Sequence, residues 1–244
     1  MISTFIILLT AHLLADFPFQ TNTFIKNKRS PYILSLHILI VALVTILLLG
    51  AWPLFLLLIL CGTHLGMDAV KVYLLKEKHW AFYLDQAVHL FVILLLAIYF
   101  PQNFQIGFWP DLLNLNTPTY PAIYLTGLCL VSGIILSLSV GNVIIALETK
   151  RFRDEMESPI QGLSQGGAFI GQLERALVML FVLIGYPVAV GFLVAAKSIL
   201  RFGEVKNTAD RQMAEYVIIG TFMSIGWGLL TAVLTKAALT TYLW

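Results

Sequence analysis

Three imidazole–carboxylate pairs recur at one spacing in the first hundred residues: His12 with Asp16, His64 with Asp68, and Asp85 with His89. Positions i and i+4 share one face of an α-helix, so each pair can present a nitrogen and an oxygen to a single point. His37 supplies a fourth imidazole. This nitrogen and oxygen set suits zinc, manganese, iron or cobalt, and no soft sulfur accompanies it to favour copper(I). Four His and three Asp exceed what one tetrahedral ion takes. The set therefore points to a divalent transition metal, zinc foremost, either as two ions or with Asp16, Asp68 and Asp85 acting partly as general bases. Gln20 and Gln86 are candidates to orient the ligands. Lys71 shares the face of His64 and Asp68 and can neutralise a carboxylate or meet a phosphate. The plainer alternative is a metal-free network that joins helices or relays protons. His79 falls in a charged stretch and is read as solvated, not as a ligand.

These groups must be positioned by helices in a membrane. Apolar residues make up 59% of the 244 positions and charged residues 11%, against about 25% charged in soluble domains. The mean hydropathy is +0.88. The apolar residues come in blocks of bilayer-spanning length, and each block must satisfy its own backbone hydrogen bonds, which favours helices. Spans are expected at about 2–16, 32–49, 52–75, 81–100, 123–147 and 216–234. The run 169–200 is about 48 Å long as a helix, too long for one crossing. Gly185-Tyr186-Pro187 at its middle predicts two short helices in a hairpin. The expectation is an all-α polytopic transmembrane bundle of about eight helices. Residues 1–100 form a four-helix unit with the His/Asp groups, and 101–244 a second unit with the hairpin and the last span. Cys61 and Cys129 sit in apolar runs without CxxC spacing and read as buried small hydrophobes. The N-terminus lacks a basic region and a cleavage pattern, so residues 1–15 are expected to be a retained first helix.

Basic residues orient this bundle. Clusters fall at Lys26, Lys28 and Arg29; at Lys71, Lys76 and Lys78; at Lys150, Arg151 and Arg153; and at Lys197, Arg201, Lys206 and Arg211. With the hairpin split, all fall on one side, and Lys236 alone lies near the other. The loop 101–121 carries neither Lys nor Arg. The positive-inside rule then makes the basic loops cytoplasmic, with both termini outside the cytoplasm. Trp52, Trp80, Trp109 and Trp244 fall near span ends, as an aromatic belt requires. The His/Asp groups of the first four spans fall in one slab roughly 10–15 Å deep on the cytoplasmic side, the geometry of a metal site inside a bundle.

The second half carries a different constellation. Glycines including Gly166 and Gly167 open a helix, and free amides at a helix start favour anions. Arg175, Lys197 and Arg201 fall at a matching level and could join them around a phosphate or lipid headgroup. The simpler account has the glycines permitting close helix packing and the cations snorkelling. Glu174, Glu204 and Glu215 are then their ion-pair partners. The mixed-charge stretch 148–159 reads as a solvated loop and has no nucleic-acid pattern. Nucleotide-binding fingerprints, a nucleophile elbow and HExxH are absent from the sequence.

The strings AHLLADFPFQ, KNKR, SLHILI, THLGMDAVKVY and FYLDQAVHL together resemble the bacterial membrane family called domain of unknown function 3307, over roughly the first 100 residues. More distantly they resemble the membrane-bound metal-dependent hydrolases, which implies hydrolysis by analogy. The leading expectation is an intramembrane metal-dependent hydrolase acting at the cytoplasmic interface on a phosphate- or acyl-containing amphiphile, with membrane lipids as its surroundings. A divalent-cation or proton transporter using the same residues is the first alternative, and a non-catalytic membrane scaffold the second. No nucleic-acid partner is expected, and a homo-oligomer is compatible with the sequence.

Overall fold

The computed structural model describes residues 1–76, 78–101, 107–112, 120–156, 165–201 and 208–243. Every regular element among them is helical. In order they are α1 (Ile2–Asp16), α2 (Asn22–Asn27), α3 (Pro31–Leu49), α4 (Leu54–Ala69) running into a π-helical turn (Val70–Leu75), α5 (His79–Tyr99), α6 (Trp109–Leu112), α7 (Tyr120–Ile135), a second π-helical turn (Leu136–Val140), α8 (Gly141–Asp154), α9 (Gly166–Leu183), α10 (Ala189–Arg201) and α11 (Thr208–Leu243). Among the described residues six helices are long and apolar enough to cross a membrane, and Ile2–Asp16 and Ala189–Ile199 are shorter apolar helices. The protein is an all-α, multi-pass membrane protein.

Two compact units divide the chain, one built on Met1–Ser132 and the other on Gly133–Thr241. This boundary lies inside a helical run, not at the loop near residue 101 that the sequence suggested. The reason is polar bonding inside the bundle. The Thr10 hydroxyl lies 2.8 Å from the Ser132 hydroxyl, and Tyr124 donates to the Leu48 carbonyl at 2.6 Å. In a lipid setting such bonds hold α7, from Tyr124 to Ser132, to the N-terminal helices.

In the first unit α1 packs on α3 and α5, and α4 packs on α3 and α5, closing a ring of four helices. The end of α3 shows how its orphan carbonyls are met. Gly50 takes a left-handed φ of 64° and returns its N–H to the Ile46 carbonyl. The Trp109 indole donates to Leu47 O at 2.5 Å, and the Phe108 amide to Gly50 O at 2.7 Å. A side chain at position 50 would start 2.5 Å from the Trp109 ring, so both its backbone angle and its neighbour call for glycine.

The second unit is organised around the π-helical turn at Leu136–Val140. A π turn widens the helix and leaves carbonyls poorly paired. Trp227 donates to Leu136 O at 2.8 Å, and Arg175 donates to Ser137 O at 2.7 Å and to Leu138 O at 3.1 Å. Gly141 lets them approach, since a Cβ there would lie 2.7 Å from Trp227 and 2.9 Å from Arg175. The break expected at Gly185-Tyr186-Pro187 is present: α9 ends at Leu183, Gly185 has φ of 85°, and α10 begins at Ala189. Lys236 donates to Val182 O at 2.9 Å and so serves the last turn of α9.

One expected loop is helical. α8 continues through Glu148 to Asp154, with Lys150, Arg151 and Arg153 exposed along it. The stretch has no Gly or Pro before Pro159, and its Glu, Lys and Arg residues are good helix formers once water is available to them. Residues 157–164 lie outside the described residues.

Candidate metal centre

The site is built where the ends of α1, α3, α4 and α5 meet. Asp16 is the last residue of α1, one turn after His12. His37 sits in the second turn of α3, whose start is set by Pro31 at its first position. His64 and Asp68 occupy the last turns of α4, and Asp85 and His89 the second and third turns of α5. Among these seven residues His12, His37, His64, Asp68, Asp85 and His89 are buried, with His37, Asp68 and Asp85 at 0% exposure, and the Asp16 side chain is 6% exposed.

The facing atoms have ligand spacing. His37 Nε2 lies 3.2 Å from His64 Nε2, and both lie 3.3 Å from Asp16 Oδ1. Ligands held at about 2.0–2.1 Å around a tetrahedral ion sit about 3.3–3.4 Å apart, so this triangle matches one face of such a site. Asp68 Oδ2 extends it, 3.5 Å from His37 Nε2 and 3.8 Å from His64 Nε2. His12 Nδ1 is 3.8 Å from Asp16 Oδ1, and His89 Nε2 is 3.2 Å from Asp85 Oδ1. The His64 and His89 rings stack at 4.0 Å, and His12 lies at 5.2 Å from His89. Three overlapping groups could each hold an ion: His12, Asp16 and His64; His37, His64 and Asp68; and Asp68, Asp85 and His89.

Orphaned atoms test whether a cation fits. His12 Nδ1, Asp16 Oδ1, Asp68 Oδ2, Asp85 Oδ1 and His89 Nε2 are all buried without a well-aligned hydrogen bond, although they face ring nitrogens or carboxylate oxygens of the same cluster at 3.2–3.8 Å. Leaving buried polar atoms unpaired is costly, and doing so for five in one cluster is far from the norm of protein interiors. All five belong to residues that the sequence spacing singles out as ligands. The donor set and its unmet oxygens and nitrogens fit a divalent ion.

Around these atoms stand the neighbours that orient them. Gln86 Oε1 is 3.2 Å from His12 Nε2, while Gln86 Nε2 donates to Asp85 Oδ2 at 3.2 Å. Gln20 Nε2 approaches the His37 ring nitrogens at 3.4 Å. Lys71 bonds Asp85 Oδ2. Lys28 escaped the sequence reading as a site residue. It lies just after α2, whose start is capped by Thr21, whose side chain accepts from the Phe24 amide. Lys26, Asn27 and Arg29 are exposed, but Lys28 turns inward and bonds Asp68 Oδ1 at 2.7 Å. The KNKR string reads as a surface charge cluster, and only the short helix shows which of its cations turns in. His79 is exposed beside Tyr83, their rings 5.6 Å apart, away from the cluster of ligands as expected.

The anion-binding residues expected in the second half are not brought together. Gly166 and Gly167 open α9, but Arg175 lies nine residues further on, about 13 Å along the helix. Arg175 is buried at 1% exposure, and besides its two carbonyl bonds it donates to Ser224 Oγ at 2.9 Å and Asn142 Oδ1 at 2.8 Å. Its donors serve the fold. Lys197 pairs with Glu174 at 2.7 Å, and Arg211 with Glu215 at 3.1 Å, as the simpler account has it. The side chain of Arg201, and Glu204 as a whole, lie outside the described residues.

Searches of curated proteins and of solved structures give no match. A family model described as protein of unknown function (DUF3307) matches residues 4–110, which include every ligand candidate in α1, α3, α4 and α5. Over that N-terminal stretch, somewhat under half of its length, the chain is similar to that family.

Proposed function

We propose that the N-terminal unit holds a divalent transition metal, zinc foremost, and that the protein hydrolyses a phosphate- or acyl-containing amphiphile at the cytoplasmic face of the bacterial inner membrane. The observation that carries the metal is the triangle of His37 Nε2, His64 Nε2 and Asp16 Oδ1 at 3.2–3.3 Å, bordered by orphaned carboxylate oxygens. The cluster contains three carboxylates against the ammonium groups of Lys28 and Lys71. With neutral imidazoles one negative charge is left over, which favours a single divalent ion over two unless a second anion joins.

Bound there, such an ion polarises a water and the scissile group. The chain does the rest. Lys28 holds Asp68 by Oδ1 and leaves Oδ2 toward the imidazoles. Gln86 fixes His12 and Asp85 together, and the Asp85–His89 pair is placed to accept a proton. Hydrolysis is favoured over transport by depth. The ligands lie near helix ends, whereas transporter sites lie near the midplane on interrupted helices. The positive-inside pattern supports the cytoplasmic placement.

The two lysine ion pairs also suit a second reading, a proton or cation transporter in which Lys28 and Lys71 stand in for the travelling charge. Elemental analysis of purified protein separates these. Stoichiometric zinc or another transition metal is expected in the parent and its loss in folded His37→Ala and His64→Ala. Turnover of a lipid or phosphoester panel in detergent then supports the hydrolase. Absence of metal overturns the metal centre, and ion flux into liposomes without turnover replaces hydrolysis by transport.

A further inference from the structure

The π-helical turn after Asp68 has a second product besides placing Lys71. A cavity of about 320 Å³ is lined by Arg29, Val72, Tyr73 and Lys76. Two of the four lining residues directly follow a cation committed to the carboxylates: Arg29 follows Lys28, and Val72 follows Lys71. Consecutive α-carbons are about 3.8 Å apart, so Arg29 and Val72 start within about 4 Å of the backbone of the two lysines that reach into the cluster. The walls are fastened to each other, since the Tyr73 hydroxyl donates to the Arg29 carbonyl at 2.9 Å.

The charges here differ from those inside. Lys28 and Lys71 are neutralised by Asp68 and Asp85, but among the described residues the Arg29 guanidinium and the Lys76 ammonium have no acidic partner. Lys76 ends the π turn with φ of 55° and ψ of −141°, the one non-glycine residue with positive φ among those described. That backbone conformation is strained for a residue with a side chain and persists only where the surroundings impose it. Two unpaired cations in one cavity, one of them a guanidinium, match the charge and planar oxygen pairs of a phosphate.

We infer that the Arg29–Tyr73–Lys76 cavity is a phosphate subsite, and that the amphiphile brought to the His/Asp cluster carries a phosphate group. The inference rests on the proposed metal centre for its chemistry, though not for the binding itself. It selects phosphate-bearing over purely acyl substrates. The phosphate could belong to a lipid headgroup or to a soluble phosphoester, and the ligand arms below tell them apart.

The test uses full-length protein in a non-ionic detergent, stripped with chelator so that phosphate cannot bind through a metal. Dihexanoyl phosphatidate, inorganic phosphate and dihexanoylglycerol are titrated by calorimetry against the parent and the double variant Arg29→Gln/Lys76→Gln. Phosphatidate is expected to bind, with the variant about tenfold or more weaker, a loss of about 1.4 kcal/mol or more. Phosphatidate tighter than inorganic phosphate assigns the site to a lipid, and equal affinities assign it to a soluble phosphate. The inference is overturned if neither phosphate ligand binds, if the variant binds as the parent does, or if dihexanoylglycerol binds equally well. Arg29 and Lys76 are exposed, so the variant is expected to fold, and the charge-keeping Arg29→Lys/Lys76→Arg should retain binding. Metal content before stripping is measured on the same preparations. Metal without phosphate binding sinks the subsite alone, whereas phosphate binding without metal sinks the hydrolase reading alone.

Discussion

Replacing Lys28 by Met keeps the side chain's length and removes its charge, which makes the ion and the lysine compete for one carboxylate. Asp68 has 0% exposure and its Oδ1 accepts from Lys28 Nζ at 2.7 Å. Without metal, Lys28→Met leaves a buried charge with its other oxygen already orphaned. Removing one partner of a buried pair costs about 3–5 kcal/mol. An ion among Asp16, His37 and His64 would lie against Asp68 Oδ2 and supply the missing positive charge. The metal-bound variant should therefore recover much of the loss. By linkage, that recovery appears as tighter binding. If half of a 4 kcal/mol deficit is restored, affinity rises by more than tenfold, at about 1.4 kcal/mol per decade. In the parent, zinc at about 100 times its dissociation constant should stabilise by about 2.7 kcal/mol. The assay is unfolding in detergent with chelator and with zinc, together with a zinc competition titration. Equal destabilisation of Lys28→Met in both conditions, or weaker zinc binding by the variant, refutes the argument that the ion and Lys28 share Asp68.

Two further outcomes follow from the contacts. Gln86→Ala should weaken metal affinity by about 10–100-fold with the fold intact, because it frees the His12 ring and removes one of the two donors to Asp85 Oδ2, leaving Lys71; a chelator competition assay that finds no change would separate His12 from the site. In the second unit Arg175→Lys should destabilise almost as much as Arg175→Met, since one ammonium cannot replace the fork that serves Ser137 O, Leu138 O, Asn142 and Ser224. Each buried acceptor left unmet costs about 1–3 kcal/mol, and a Lys variant with the parent's unfolding midpoint would show that the guanidinium is not needed at the π turn.

Local spacing carried the site a long way. The i, i+4 pairs in α1, α4 and α5 are properties of helical geometry, so their shared faces were readable once spans were drawn from hydropathy. The Gly185–Pro187 break was equally legible, because a positive φ at Gly185 and a proline that cannot continue a helix are chemical facts of those residues. Positive-inside counting put the pairs at one depth before any helix was packed.

Contacts between distant residues were another matter. That Lys28 rather than Arg29 enters the cluster depends on the turn of α2, and that Lys71 reaches Asp85 rather than Asp68 depends on how α4 and α5 meet. Arg175 was a candidate anion ligand because it follows a glycine-rich helix start and falls at the level of Lys197 and Arg201. Its partners turned out to be carbonyls of a π-helical turn 37 and 38 residues away, whose distortion leaves no mark in composition. The extent of α7 within the first unit likewise rests on the hydroxyl pair of Thr10 and Ser132, 122 residues apart. The sequence by itself determined which stretches are apolar enough to span a membrane and which residues share a helical face, because these follow from hydropathy and a period of 3.6. Only the tertiary structure decided which cation meets which carboxylate, because ion pairing in a bundle is set by the packing of helices that the chain brings together from far apart.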